Sequence, residues 1–481
     1  MKIRSLKHKI KVKQCIPVLK DAECIEELNK LHSQFVIVPI DKAQNNVAII
    51  CKRFYVSRLL DEVGMPGNSS QTYDLRDAEN TADIIHSSIE QLDKAGLTVT
   101  EKQKSLPFMY WTPKMHYTPS RARFIVSSCS CSTKPLSKMI SVIFRKIQDQ
   151  VQSFHRHSSF YKNYNRFWVI KNSTPFIQKL DVINEKRKAR EISTYDFSTL
   201  YTKLPHDDLI RVLGEIIDFV FEGGKHTKTG NRKYLTVNGS VCYFTKRKQG
   251  KNSYTKNTIK SFVEFIIKHS FFTVGNLLLL QKIGIPMGID PAPFIANLYL
   301  YHYENKYITH LMHTNKSKAL QFKNALRFID DETNLNDRGV FGESHAEIYP
   351  AELELKCEHQ GLHATYLDLD ISVQDGLFVY KLFDKRDNFP FFIVRMPDLT
   401  GNIPNHVFYG SVMSEFLRVA RCSMRYEDFL TPCISLFRRM VNQGGKESLI
   451  VSQLQKATRK YPSTFQRYNV SDAQIIRDVT K

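Results

Sequence analysis

The sequence predicts an α+β chain with antiparallel sheets. Helical spacing of apolar residues, as in Leu209, Val212, Leu213, Ile216, Ile217 and Val220, is interspersed with strand-like alternation. Hairpin signals recur at 234–244, 325–335 and 366–383. A length of 481 residues is enough for about three domains of roughly 150 residues each.

Composition narrows the function classes. Hydrophobic residues make up 42% and charged residues 24%, which excludes a disordered or fibrous chain. The net charge of +21, in a chain with 31 Phe and 22 Tyr, points to a polyanionic partner, most economically nucleic acid. No apolar run reaches the roughly 18 residues of a membrane span, so no membrane partner is expected. The N-terminus, MKIRSLKHKIKVKQC, lacks the apolar core of a secretory signal and reads as a nuclear-import or phosphate-contacting segment. Nine cysteines, with Cys129 and Cys131 the only close pair, support neither a disulfide framework nor a zinc site. A reducing, intracellular location follows, and secretion is not expected.

The elements follow in order. Residues 22–60 combine a short helical pattern with extended runs at 35–40 and 47–50. Residues 77–104 hold an amphipathic helix around Ile84, Ile85, Ile89 and Leu92, and the basic, Pro-punctuated stretch 106–145 reads as mostly extended and loop-like. Arg190 to Phe197 is a strand. A helix follows Pro205, with Asp207 and Asp208 in its first turn, where the helix dipole favours carboxylates, and Gly223-Gly224 stops it. Residues 225–260 carry ten Lys or Arg and no acid. They contain a hairpin expected to turn on Asn238-Gly239, and the unbalanced charge favours a phosphate clamp over a solvated flap. After the helix carrying Ile259, Phe262, Val263, Ile266 and Ile267 comes Gly284-Ile-Pro-Met-Gly288. Asp290-Pro291 then reads as a helix cap rather than a catalytic acid. Residues 325–335 read as strand, acidic tip, strand. In 366–373 the alternation places Asp368 and Asp370 on a polar strand face, ahead of a turn at Asp375-Gly376. From 407 the pattern is helical, with arginines at 418, 421, 425, 438 and 439 and a break at Gly444-Gly445.

The carboxylates that stand where charge is costly are Asp196, at the end of its strand, and the pair Asp330 and Asp331 at a hairpin tip. Adjacent like charges need a compensating cation, and a hard divalent ion such as Mg²⁺ suits a phosphate substrate. With the basic balance and the Gly-Pro-Met-Gly loop, the pattern suggests two-metal phosphoryl transfer.

In that order, YDFSTLYTKLPH, IGIPMGIDPAPFIANLYLYHYE and RFIDD resemble the central palm motifs of reverse transcriptases. VIVPIDKAQNNVAI, LPFMYWTPKMH, YPAELELKCE, TYLDLDISV, LFDKRDNFPF and GNIPNHVFYG further resemble the Penelope-like retroelement reverse transcriptases, relatives of telomerase, over about residues 30 to 470. The resemblance implies a right-hand polymerase, with an N-terminal extension at 1–105, fingers at 106–190, and a palm at 191–385 that carries the basic hairpin insertion 225–260. A helical thumb occupies 386–481. It implies an RNA-directed DNA polymerase that extends a DNA 3′ end on an RNA template, using dNTPs, binding the RNA–DNA hybrid and acting in the nucleus, with a cytoplasmic stage left open.

The resemblance also assigns residues. Asp196, Asp330 and Asp331 would hold two Mg²⁺ ions, and Tyr201 would crowd a 2′-hydroxyl and so select dNTPs. Lys114 and Arg123 would grip the triphosphate, and Gly288 with Gly284 would let backbone approach the nucleotide and template. Lys356 is either a lysine near the pyrophosphate or a solvent-facing strand residue. Lys246, Arg247 and Lys248, with Arg418 and Arg421 of the thumb, would contact phosphates rather than read bases.

Three features depart from the pattern. Ile289 with Asp290-Pro291 replaces a small polar residue, Asn and Cys, and the strand after Asp331 is unusually polar (Glu332, Asn334, Asn336). No GIY…YIG string follows the thumb, so this chain by itself is expected not to cut target DNA, and any nuclease would come from a separate chain. The alternatives are a repurposed protein that binds RNA or hybrid without polymerising, and an RNA-templated RNA polymerase, which Tyr201 disfavours.

Overall fold

The computed structural model describes residues 22–65, 67, 70–157, 163–223, 233–396, 398–399 and 403–481. The basic N-terminal segment and residues 225–232 of the insertion lie outside the described residues.

In chain order, α1 (Ala22–Gln34) leads into a hairpin of β1 (Phe35–Ile40) and β2 (Ala43–Cys51), then α2 (Lys52–Glu62), β3 (Tyr73–Arg76) and α3 (Thr81–Lys94). A second hairpin, β4 (Phe108–Lys114) and β5 (Arg121–Ser127), precedes the long α4 (Lys134–His157) and α5 (Ser173–Asn184). Then come β6 (Ile192–Phe197), α6 (Leu200–Lys203), α7 (His206–Phe221), β7 (Tyr234–Asn238), β8 (Val241–Thr245), β9 (Ser253–Tyr254) and α8 (Lys256–Lys268). The chain continues through β10 (Phe271–Val274), β11 (Leu277–Gln281), α9 (Ala292–Thr314), α10 (Lys316–Gln321), β12 (Leu326–Phe328), β13 (Asp331–Leu335) and α11 (Val340–Ile348). It closes with β14 (Leu355–Gly361), β15 (His363–Tyr366), β16 (Leu369–Gln374), β17 (Leu377–Leu382), α12 (Asn405–Cys422), α13 (Tyr426–Asn442), α14 (Glu447–Lys460), α15 (Pro462–Gln466) and α16 (Asp472–Thr480).

The centre is a four-stranded sheet in the order β12-β13-β6-β14. It shares one large core with α4, α7, α8 and α9, in which Ile143, Phe144, Leu213, Phe262 and Leu300 are buried. A five-stranded sheet, β3-β11-β10-β4-β5, packs under α2 through Tyr55, Trp111 and Phe272. The sheet β15-β16-β17 packs on α5 through Phe176, Tyr366 and Tyr380, and α12 to α16 form a separate helical core.

The expected boundaries cut across these units. β3 lies in the segment read as an extension, and β10 and β11 in the segment read as palm, yet all three join the β4–β5 hairpin in one sheet. From Lys134 onward, the stretch expected to be extended is helix α4. Its Pro135 sits in the first turn, where no amide donor is missed, and Leu136, Met139, Ile140 and Ile143 are buried at helical spacing.

Other local readings shift. The basic hairpin turns on Gly239-Ser240, because Asn238 still pairs with Val241, and it is not outside the core: Leu235, Val237 and Cys242 are buried in it. Asp290 does not cap α9, which starts at Ala292 after Pro291; its carboxylate instead pairs with Lys134 at 2.8 Å and accepts from Ser137 Oγ at 3.1 Å. Residues 366–373 are not one strand. Leu367, at φ +54, turns the chain between β15 and β16, so Asp368 is a turn residue, while Asp370 pairs with His363 and Lys381.

Candidate active site

Register brings the acidic residues together. β6 and β13 run antiparallel with Asp196 directly opposite Asp331, so both side chains leave the same face of the sheet. Phe328 pairs with Asp331 across the β12–β13 hairpin, which leaves Ile329 and Asp330 as its two-residue turn. Ile329 sits at φ +58, a conformation that costs a β-branched residue about 1–3 kcal/mol. The turn is held in place nonetheless. The Phe197 amide donates to Asp330 O at 3.1 Å, Arg327 Nη1 donates to Ile329 O at 2.8 Å, and Tyr366 Oη donates to Asp331 O at 3.0 Å.

Arg327 is fully buried and spends its donors locally. It bonds Glu304 at 2.5 and 3.3 Å, and the Asn297 side chain and carbonyl at 3.0 and 3.1 Å, all on α9. Glu332 is buried beside this pair, and burial followed by the Glu304 charge pushes its carboxyl well up. That accounts for the polar strand: Glu332 to Leu335 are all fully buried, because β13 is a central strand and does not alternate toward solvent.

Asp196, Asp330 and Asp331 line a cavity of about 520 Å³ together with Tyr201, Lys114 and Arg123. Burial, then the charge of Asp330, pushes the Asp331 carboxyl up to about 7. Burial also raises Asp330, and burial followed by the Asp330 and Glu358 charges raises Asp196. Among the described residues, no three His, Cys, Asp or Glu side chains are already gathered as a metal-binding cluster. The three aspartates still fit a hard divalent cation in donor type, since each offers carboxylate oxygens to the same cavity and its charge is costly without a counter-ion. Tyr201, on α6, has its phenol pushed up by burial and then by Asp330, so it presents a neutral ring and hydroxyl.

The other expected site residues fall elsewhere. Gly288 adjoins the cavity, but its freedom from a side chain is used by the protein itself: at φ +127, a Cβ there would lie 2.2 Å from Val126 O. The Gly284 Cβ would likewise lie 2.3 Å from Tyr201 O. The loop is thus clamped between β5 and α6 by Val126 N to Met287 O at 2.8 Å and Ile285 N to Tyr201 O at 2.7 Å. Lys356 stands opposite Asp196 in register but is exposed and does not line the cavity. Lys246, Arg247 and Lys248 are exposed after β8, also off the cavity. Arg418 is engaged internally, 2.9 Å from Glu415 and 3.6 Å from Asp384, and lines a neighbouring cavity with Asp331 and Lys385. The Arg421 guanidinium lies 5.4 Å above the Tyr461 ring. Of the residues that depart from the motif pattern, neither Ile289 nor Glu332 lines the cavity: Ile289 packs against the central core, and Glu332 is fully buried in the sheet.

Sequence reasoning missed four charged cavity residues, of which Glu62 lies at the end of α2. Lys42 sits at the β1–β2 turn, and Lys385 follows β17. Glu358 is the extra residue of a β-bulge between Cys357 and His359, a device that re-aims a side chain. The strings IDKAQ and FDKRD contain the two lysines, but nothing local separates them from the other lysines of a basic chain.

No family model and no curated protein matches the chain in sequence. Solved structures do. The telomerase of Candida albicans, solved in complex with a TWJ fragment of telomeric RNA, superposes with a TM-score of 0.63 at 10% identity, over 95% of this chain and 72% of that one. The chain has a right-hand polymerase fold. Weaker similarities, at TM-scores of 0.49 and 0.40, link it to apo telomerase from Candida tropicalis (10% identity, 94% of this chain and 71% of that) and to an RNA polymerase complex inside a dsRNA virus (11% identity, 82% and 32%). That fold class has fingers, an antiparallel palm sheet and a helical thumb, as expected from the sequence.

Proposed function

We propose that the chain is a template-directed nucleic-acid polymerase, and specifically an RNA-directed DNA polymerase of the Penelope-like kind, extending a DNA 3′ end on RNA. The observation that carries this reading is that Asp196, Asp330 and Asp331 line one cavity together with Lys114 and Arg123.

Asp196, Asp330 and Asp331 would hold two Mg²⁺ ions. When bound, such ions lower the pKa of a primer 3′-hydroxyl and neutralise charge on the leaving pyrophosphate. The chain's own residues supply position and charge. The register of β6 against β13 places carboxylates from two strands at one point, and Arg327 and Phe197 hold the turn that carries Asp330. Lys114 and Arg123 orient the triphosphate, so the barrier falls mainly through alignment and electrostatics. Tyr201 reads the sugar, its ring leaving no room for a 2′-hydroxyl. Thumb and hairpin cations follow backbone phosphates, and the reaction is assigned to the nucleus.

The test is primer extension on an annealed RNA template with dNTPs and Mg²⁺, comparing the parent chain with Asp330→Asn and Tyr201→Ala. Extension by the parent, none by D330N, and a gain of rNTP use by Y201A are expected. A parent chain that binds the hybrid but never extends it would leave only the binding-protein reading.

A further inference from the structure

The β1–β2 hairpin forms part of the cavity, although it lies roughly 150 residues before Asp196. Its two-residue turn is Asp41-Lys42, closed by the pairing of Ile40 with Ala43. Lys42 holds φ +63, an uncommon backbone state for a lysine that persists only where the surroundings impose it. They do so from three directions. The Asp41 amide donates to Pro113 O at 3.0 Å, and the Asp41 carboxylate pairs with Arg123 at 3.3 Å. Beyond the turn, Asn45 Nδ2 donates to Val394 O at 3.0 Å and Asn46 Nδ2 to Phe392 O at 2.9 Å, while Asn46 Oδ1 accepts from Val394 N at 2.9 Å. Ile40, Ala43, Phe389 and Ile393 close a small apolar core at this seam. The β1–β2 hairpin and the connector at 385–394 are therefore one docked unit, and each contributes a lysine to the same cavity.

That arrangement is electrostatically unfinished. Lys42, Lys114 and Lys385 share the cavity with Arg123, Glu62, Glu358 and the three aspartates, yet among the described residues only Arg123 of the four cations stands in an ion pair with a carboxylate, that of Asp41. Partial desolvation, followed by the charge of Lys385, lowers the Lys42 ammonium from its ordinary value. The neighbouring Lys42 to His116 contact at 3.4 Å supplies no negative charge. A ligand that relieves this crowding must carry several negative charges on a short span, and its other end must reach the aspartates. A polyphosphate does both.

We infer that Lys42 and Lys385, brought together by the docking of the β1–β2 hairpin on the connector at 385–394, form a polyphosphate-binding site that seats the triphosphate tail of the incoming nucleotide and the pyrophosphate it becomes. The inference rests on the polymerase reading for the identity of the nucleotide, but not for the anion site. Lys42 and Lys385 would be held in register by Asn46, which acts as a positioning residue and touches no ligand.

The experiment measures binding of inorganic tripolyphosphate to the full chain by calorimetry, for the parent, Lys42→Met, Lys385→Met and Asn46→Ala. Primer extension is run in parallel to separate KM for dNTP from kcat. Each lysine variant is expected to weaken tripolyphosphate binding roughly tenfold, about the effect of losing one charge-assisted contact, and to raise the dNTP KM by a similar factor with a smaller change in kcat. N46A should weaken binding with both lysines present. Both lysines are exposed, so unchanged melting of K42M and K385M separates loss of site from loss of fold. Tripolyphosphate affinities within twofold of the parent for both lysine variants would overturn the site, even if the parent extends primers normally. Weakened hybrid binding with unchanged tripolyphosphate affinity would also overturn it, assigning the lysines to a nucleic-acid backbone. Lost tripolyphosphate binding in a chain that never extends primers would uphold the site and refute the polymerase.

Discussion

Replacing Arg327 by Met should separate the stability of the palm from the geometry of its acidic turn. Arg327 and Glu304 are both fully buried, so R327M leaves the Glu304 carboxylate with Tyr349 Oη at 3.1 Å as its remaining hydrogen-bond donor. It also strips the Ile329 carbonyl of its guanidinium donor. Breaking one side of a buried pair costs about 3–5 kcal/mol. Removing both charges, as in Arg327→Met with Glu304→Met, eliminates the orphaned carboxylate, and about half or more of that loss should return. Activity should not return with it. The tether from Arg327 to Ile329 O is absent in both variants, and the strained turn, with about 1–3 kcal/mol to release, is free to carry Asp330 away from Asp196. Urea unfolding reports the stability arm, followed by Trp168 fluorescence in a Trp111→Phe background, because the Trp168 carbonyl accepts from Arg327 N at 2.8 Å. Primer extension reports the other arm. Additive destabilisation in the double variant, or a double variant as active as the parent, would refute the reasoning.

Three further outcomes follow from particular contacts. Gly288→Ala forces a Cβ against Val126 O at a φ that alanine avoids and should destabilise by about 2 kcal/mol or more, read as a fall in the thermal midpoint; an unchanged midpoint would mean that the loop is not clamped. Burial alone would raise the Asp384 carboxyl, but hydrogen bonds and charge from Arg386, with Arg395, hold it down at about 2. A depressed carboxyl stabilises the fold above its unfolded value of about 4 and loses that contribution as pH falls toward 2. Asp384→Asn should therefore cost about 1–2 kcal/mol at pH 7 after solvent screening, with the cost shrinking as pH falls below about 4 and vanishing only below about 2, as measured by unfolding across that window. Neutralising Lys246, Arg247 and Lys248 to Gln should weaken hybrid binding and flatten its dependence on log salt by up to nearly one unit per residue, whereas an unchanged slope in a salt titration would make the segment a solvated flap.

Local pattern carried much of the secondary structure. The helical spacing of 209–220 and 259–267 became α7 and α8, and the alternation around Asp375-Gly376 became β16 and β17, because burying one helix stripe or one strand face depends on residues a few positions apart. Where the partner is distant, local pattern misleads. Glu332 and Asn334 make the strand after Asp331 look unusually polar, yet they are buried because β6 and β12 flank it, with Arg327 of β12 directly opposite Glu332. The prolines around 106–135 read as loop, although Pro135 opens a helix.

For the candidate site the division is similar. Asp196, Asp330 and Asp331 stand out in the sequence because carboxylates at strand ends and hairpin tips are costly, and Lys114, Arg123 and Tyr201 were legible only through motif resemblance. That these six share one cavity was decided by the register of β6 against β13 and by a five-stranded sheet assembled from three separate segments. Gly284 and Gly288 are legible as glycines in a special loop, but only the packing shows that the close approaches are to Tyr201 O and Val126 O. Lys42 and Lys385 carry no local signal at all, since a lysine at a turn looks the same whether water or another loop surrounds it. Their meeting, more than 340 residues apart in the chain, exists only because Asn45, Asn46 and a small apolar seam bring the two loops together, and that long-range contact is information no window of sequence contains.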